Sequence, residues 1–106
     1  MQTEQASTIA KLNDEFRKKG LAVTVTTGVQ GLSDLSGLLE AVREYGEFWD
    51  GVDPHGEHDF GTIGWAGKKT FWKIDYYDFD CRFGSEDPSD PEKTTRVLTI
   101  MLAAEY

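Results

Sequence analysis

KTFWKIDYY, at residues 69–77, is the stretch of sequence that decides the fold. It is rich in aromatic residues, and its side chains alternate in character, which is typical of a strand with one buried face. Residues 60–66 have a similar makeup, and Gly67 with Lys68 suits the turn between two strands. The sequence therefore predicts a β-hairpin. Its core-facing residues in the second strand are Trp72, Ile74 and Tyr76.

Upstream of the hairpin, the sequence predicts two helices and one strand. Residues 3–19 have apolar side chains at helical spacing and end in basic residues before Gly20, a suitable C-terminal cap. Residues 21–27 alternate like a half-buried strand. A second helix is predicted to begin at Ser33 as N-cap and to continue to Tyr45. The apolar stripe of the first helix consists of Ile9, Leu12 and Phe16.

The last segment of the chain begins with a helix-start signal. Aspartate is a good N-cap and proline is tolerated at the first helical position, so Asp90 and Pro91 predict a third helix that reaches Glu105. Residues 94–100 are rich in β-branched side chains, which leaves a strand as the alternative. The predicted fold is one α+β domain over residues 1–106. Three helices pack on a three-stranded antiparallel sheet, in the order α-β-α-β-β-α.

Composition narrows the classes of partner. A net charge of −8 and a pI near 4.6 argue against direct binding to nucleic acid or to an anionic membrane. The longest apolar run, residues 97–104, is too short to span a bilayer. A single cysteine, Cys81, and the absence of a leader pattern predict a cytoplasmic protein. The glycine spacings match no nucleotide-binding fingerprint, and we expect no cofactor.

Acidic residues are concentrated in two stretches, 44–61 and 75–92, which together hold thirteen of the nineteen carboxylates and one basic residue, Arg82. Such crowding of negative charge opposes compaction of the chain unless a bound cation or a basic partner neutralises it. Aromatic residues lie beside these carboxylates, as in an interface that binds a basic surface. The residues expected to contact a partner are Glu47, Trp49, Asp50, Asp53, Asp78, Phe79, Asp80, Glu86 and Asp87.

The densest group of possible metal ligands gives an alternative. Residues 53–59 contain two imidazoles and three carboxylates, which suit zinc or manganese, although their spacing matches no established motif. The purely structural interpretation is that these side chains cap loop amides and pack against the core. The candidate ligands are His55, Glu57, His58, Asp59 and, from the hairpin, Asp75.

Four motifs give the chain a family resemblance: GEHDFG at residues 56–61, FWKIDYYD at 71–78, GSEDP at 84–88 and TRVLTIMLA at 95–103. Together they resemble a small bacterial family of unknown function, found mainly in proteobacteria and in their plasmids and mobile elements. The resemblance implies a bacterial, mobile-element setting, but it does not imply a particular biochemical activity.

The functional hypothesis combines charge with that setting. The chain is expected to be an acidic protein-binding module that mimics nucleic acid and occupies a basic surface of a nucleic-acid-binding protein. A bacterial defence nuclease complex, of the CRISPR or restriction type, is the expected target by analogy. The alternative is a small metal-binding or hydrolytic enzyme centred on residues 55–59, which matches no recognised catalytic motif.

Overall fold

A computed structural model describes residues 4–20, 23–48 and 53–106. Along the chain these residues form α1 (Glu4–Lys19), β1 (Val23–Val25), α2 (Thr27–Gln30), α3 (Leu35–Arg43), β2 (Phe60–Trp65), β3 (Lys68–Tyr77) and β4 (Thr95–Leu102). A 3-10 turn at Ala103–Glu105 follows β4. The described elements therefore make an α+β fold with three α-helices, as expected in class and in helix number.

The four strands form one mixed sheet in the order β1-β4-β3-β2. Neighbours β2 and β3, and β3 and β4, are antiparallel, whereas β1 runs parallel to β4. In this register Trp72 lies opposite Ile100, and Ile74 lies opposite Leu98. Because side chains alternate along a strand, these four residues share one face of the sheet.

The hydrophobic core lies between that face and the helices. Trp72, Ile74, Leu98 and Ile100 are at most 3% exposed, and they form one cluster with buried residues of α2 and α3. The residues contributed by the two helices are Val29, Leu38 and Val42. The prediction that Trp72 and Ile74 face the core is confirmed.

The opposite face of the sheet carries a smaller aromatic group. Phe60 and Phe71 have ring centroids 5.1 Å apart, and Tyr106 packs edge-on against Phe71 at 5.5 Å. The same face carries the Lys73–Asp75 ion pair, at 2.9 Å. None of the described helices is long and apolar enough to cross a membrane.

The predicted third helix is wrong, because residues 95–102 form strand β4. The β-branched residues pair on both sides, with β1 and with β3, and this pairing outweighs the local start signal at Asp90. Asp90 does cap an amide: its Oδ1 accepts a hydrogen bond from the Glu92 amide at 2.9 Å. That bond closes a turn before the strand instead of starting a helix.

The predicted three-stranded antiparallel sheet is also wrong, because the sheet has four strands and one parallel pair. The third α-helix is α2, at Thr27–Gln30, which begins at the last residue of the predicted first strand. Helix α3 begins one residue after Asp34, which replaces Ser33 as N-cap and accepts a bond from the Gly37 amide. Of the predicted first strand, Leu21 and Ala22 lie outside the described residues.

Candidate functional site

The loop between β3 and β4 is an ordered series of turns. The Asp78 amide donates to the Phe83 carbonyl at 2.9 Å, and the Asp78 carboxylate accepts from the Arg82 amide at 3.0 Å. Tyr77 and Gly84 form an isolated bridge. Further along, the hydroxyls of Ser85 and Thr94 lie 2.6 Å apart. These bonds fix the backbone that presents the side chains between them.

Two phenylalanines of this loop project into solvent. Phe79 is 67% exposed and Phe83 is 73% exposed, so neither ring anchors the loop to the core. They border an open hollow of about 630 Å³, which we call the acidic hollow. Its lining residues are Asp78, Phe79, Asp80, Phe83, Gly84, Glu86, Glu92 and Lys93.

The carboxylates of the acidic hollow differ in their availability. Asp80, Glu86 and Glu92 are exposed, and no described hydrogen bond uses their carboxylates. Asp78, in contrast, holds the Arg82 amide, which makes it part of the turn. The hollow therefore offers three exposed carboxylates beside two exposed aromatic rings, with Lys93 as the basic residue in its lining.

Asp87, another residue expected to contact a partner, is engaged within the loop. Its carboxylate accepts bonds from the amide and the hydroxyl of Ser89, and also from Gln5 of α1. The bonds from Ser89 hold the pKa of Asp87 below its usual range. We therefore assign Asp87 to loop structure.

A second hollow, of about 640 Å³, lies between α1 and the start of β4. Its lining includes Glu15, Lys19 and Arg96, so it carries both signs of charge. It lacks the large excess of negative charge that the acidic hollow has and gives less basis for selecting a charged partner.

Part of the first acidic stretch is used inside the protein. Asp53 is 7% exposed, and its Oδ1 accepts hydrogen bonds from the amides of Glu57 and His58 at 3.1 and 3.2 Å. His58 has a φ of 57°, a left-handed conformation that these bonds hold in place. Asp53 is therefore a cap for the loop and not part of an exposed surface.

His58 ties this loop to α1. Its Nδ1 lies 3.0 Å from both carboxylate oxygens of Asp14, and its Nε2 lies 3.7 Å from Asp53. The imidazole stacks flat on Phe48, with ring centroids 3.9 Å apart. Both ring nitrogens thus face protein carboxylates, which suits a structural clamp better than a group that meets a substrate.

Behind this clamp, Arg17 is buried between aromatic rings. It is 1% exposed, and its guanidinium lies 5.3 Å from the Phe48 ring centroid and 5.0 Å from that of Trp72. It pairs with Asp14 at 3.1 Å and donates to the Tyr45 carbonyl at 3.0 Å. The pairing and the stacking together compensate much of the cost of burying the charge.

Asn13, which is fully buried, connects three groups. Its Nδ2 donates to the Glu57 carbonyl and to the Tyr76 hydroxyl, and its Oδ1 accepts from Arg96 Nε. The Tyr76 hydroxyl in turn donates to Glu57 Oε1 at 3.1 Å. Burial raises the pKa of the Tyr76 phenol and lowers the pKa of the Arg96 guanidinium.

The structure does not bring the proposed metal ligands together. His55 is exposed, Glu57 accepts from Tyr76, and Asp75 pairs with Lys73 on the other face of the sheet. Burial, followed by the negative charge of Glu57, raises the pKa of Asp59. Among the residues that the structure describes, no group of three or more His, Cys, Asp or Glu side chains is arranged to hold a metal ion.

Of the remaining residues expected to contact a partner, Glu47 is exposed, and Trp49 and Asp50 lie outside the described residues. Sequence reasoning missed the buried polar residues of α1. Their spacing was a usable signal: Asn13 and Arg17 continue the positions of buried Ala6, Ile9 and Ala10 along one face of the helix. The missed residues are the buried Asn13 and Arg17 and, beside them, the partly exposed Asp14.

Over residues 25–105 the chain matches a family described as a protein of unknown function, DUF3768. The match covers more than half of the chain, and the protein belongs to that family. The expectation of an uncharacterised family is thus confirmed, whereas the expected bacterial setting and motifs stay predictions. No curated protein and no solved structure matches the chain.

Proposed function

We propose that this protein is an acidic protein-binding module and that the acidic hollow is its binding surface. The single observation that carries this proposal is the exposure of Phe79 and Phe83, at 67% and 73%, within a rim of carboxylates. Large aromatic side chains cost hydrophobic free energy when they stay in water, about 1.5–3 kcal/mol for a phenylalanine. A partner that covers both rings would recover that free energy.

Charge selects the kind of partner. Asp80, Glu86 and Glu92 line the same hollow as the two rings, so a surface rich in lysine or arginine would meet both opposite charge and apolar contact there. Aromatic anchors at the centre of a polar rim are typical of protein interfaces. Guanidinium and ammonium groups can also bind to aromatic faces.

We further propose that the normal ligand of this partner is nucleic acid. A basic surface that fits the acidic hollow also fits a phosphate backbone, since both contacts depend on the same lysines and arginines. The chain would then act as an inhibitor that keeps nucleic acid away from a nuclease complex. Bacterial defence nucleases, of the CRISPR or restriction type, are the targets that this form of the proposal favours.

The test begins with the two rings. Phe79→Ser with Phe83→Ser removes both apolar anchors from exposed positions, so the fold should stay intact. As bait in a lysate of the source cells, wild type should capture a basic protein that the double variant captures at least about tenfold less. The captured protein, once purified, should bind wild type and nucleic acid in competition.

The matched control removes an exposed aromatic ring elsewhere. Tyr106 is 76% exposed on the far face of the sheet, so Tyr106→Ser should capture the same protein as wild type. Equal capture by wild type and by the double phenylalanine variant would refute the binding surface. If the captured protein binds wild type without competition from nucleic acid, the chain is still a protein-binding module, but it does not mimic nucleic acid.

A further inference from the structure

We propose that strand β2 is the surface through which two copies of this chain pair, antiparallel and across a two-fold axis, to form one continuous sheet. The proposal is independent of the acidic hollow. Strand β2 is at one edge of the sheet, and its other side pairs with no strand among the described residues. An edge strand of this kind is a template for a further strand.

The residues of β2 do not protect the edge. Phe60–Trp65 contains no charged residue and no proline, although edge strands in soluble proteins are usually blocked by lysine, by proline or by a bulge. The antiparallel pairing with β3 runs unbroken over all six residues. The other edge of the sheet, β1, has three residues and offers much less backbone for pairing.

The free side of β2 is partly open, with one long contact from Tyr45 to its backbone. The Ile63 carbonyl faces β3, since it accepts a bond from the Thr70 hydroxyl, so the alternate residues Thr62 and Gly64 face the free edge. The Thr62 amide donates to the Tyr45 hydroxyl at a long 3.4 Å. Gly64 is exposed, and a Cβ atom built on it would meet no atom within 4 Å, so the sheet is uncovered at this residue.

Charge at the two ends of β2 identifies the occupant as a second copy. Glu57 and Asp59, which are both partly exposed, precede the strand, and the Glu57 carboxylate also accepts a bond from Tyr76. The exposed Lys68 and Lys69 follow the strand. Antiparallel pairing places the acidic end of one copy beside the basic end of the other, twice in each dimer. Parallel pairing would bring like charges together. The edge is therefore complementary to itself under a two-fold axis, which is the requirement for an isologous dimer.

The two lysines are available for this contact. Both are exposed, and in the described part of the chain neither forms an ion pair, although Lys69 lies 5.6 Å from the Phe71 ring centroid. The uncharged strand between the charged ends also limits repulsion, which a net charge of −8 on each copy would otherwise impose.

Sedimentation of purified protein over a range of concentrations tests the dimer. Wild type should dimerise, and Lys68→Glu with Lys69→Glu should raise the dissociation constant at least about tenfold, because the contact becomes repulsive. The control, Lys11→Glu with Lys18→Glu, changes the net charge equally at exposed positions on α1 and should sediment as wild type does.

A cross-link locates the contact. When the whole of β2 is paired, Thr62 lies opposite Thr62 of the other copy, at the two-fold axis and within the Cα separation that a disulfide spans. In a Cys81→Ser background, Thr62→Cys should therefore form a disulfide-linked dimer under mild oxidation faster than Lys11→Cys does. Three results would each overturn the proposal: a wild-type monomer up to about millimolar concentration, equal weakening by both pairs of charge reversals, or a dimer that does not cross-link faster through position 62. A dimer that the reversal of Lys68 and Lys69 alone weakens and that cross-links at position 62 supports it.

Discussion

Asn13 is the residue on which the interior of this protein depends most. One side chain with no solvent exposure serves the loop through the Glu57 carbonyl, β3 through Tyr76 and β4 through Arg96. A buried polar group stabilises a fold when its partners are satisfied and costs free energy when they are not. Asn13 therefore specifies how α1 packs on the sheet.

Asn13→Ala tests this role. The substitution removes the acceptor of Arg96 Nε and the donor to the Glu57 carbonyl, and we expect the free energy of unfolding to fall by about 2 kcal/mol or more in urea denaturation. Lys11→Ala, at an exposed position of the same helix, should change it by less than about 0.5 kcal/mol. Equal effects from the two variants would contradict this role of Asn13.

Gly61 and Gly64, both in β2, provide a second test at the residue scale. A Cβ atom on Gly61 would overlap Trp72 Nε1 and lie 2.7 Å from Tyr45 Cζ, whereas Gly64 has open space around it. We expect Gly61→Ala to lower the free energy of unfolding by about 1–3 kcal/mol, the usual cost of overpacking. Gly64→Ala should be neutral or slightly stabilising, and thermal melts compare the two directly.

Among the elements, the hairpin and α1 could be predicted and the C-terminal strand could not. Alternation in residues 69–77 is local information, and it correctly placed Trp72 and Ile74 in the core. Asp90 and Pro91 are a local signal as well, but β4 is decided by partners far along the chain, with Val23 opposite Leu98. Capping is worth about 1 kcal/mol, less than two strand pairings supply together.

Some residues of the candidate site could be predicted from the sequence and others could not, for a similar reason. Phe79 and Asp80 were expected at a surface and lie there, since the loop between β3 and β4 has few apolar residues to bury. Asp53 was expected at the same surface and is buried, because the amides of its own loop needed an acceptor. Sequence shows the charge of a carboxylate but not which amide it will meet.

Within the loop of residues 53–59, Asp59 gives a prediction about pH. Burial, and then Glu57, raises its pKa in the folded state above the unfolded value. Stability that depends on a protonated Asp59 is therefore present at low pH and lost as pH rises through the raised value. We expect Asp59→Asn, which stays neutral, to be more stable than wild type at pH 7.

That difference should shrink towards zero below about pH 4, where the carboxyl is protonated in both states. Chemical denaturation of both proteins at several pH values measures it. Asp80→Asn, at an exposed position, serves as control and should leave the pH dependence of stability close to that of wild type. An Asp59→Asn variant that is less stable than wild type at pH 7 would show that the charged form is favoured after all.

On the scale of the whole molecule, the acidic residues fall into two groups with different uses. The stretch before β2 supplies a cap for its own loop through Asp53 and a bond to Tyr76 through Glu57. The loop after β3 leaves Asp80, Glu86 and Glu92 free beside two exposed rings. The crowding of negative charge is thus partly structural, and the unexplained part is concentrated at the acidic hollow.

The salt dependence of binding to the captured partner tests the central claim most directly. Asp80→Asn, Glu86→Gln and Glu92→Gln neutralise the hollow, while Glu4→Gln, Glu15→Gln and Glu44→Gln remove three charges elsewhere; both sets change the net charge from −8 to −5. We expect the hollow variant to bind more weakly than wild type at low salt and to lose less affinity at moderate salt, because fewer ion pairs remain to be screened. The control variant should keep the wild-type affinity and salt dependence closely. If both variants weaken equally, or if neither differs from wild type, the acidic hollow is not the binding surface.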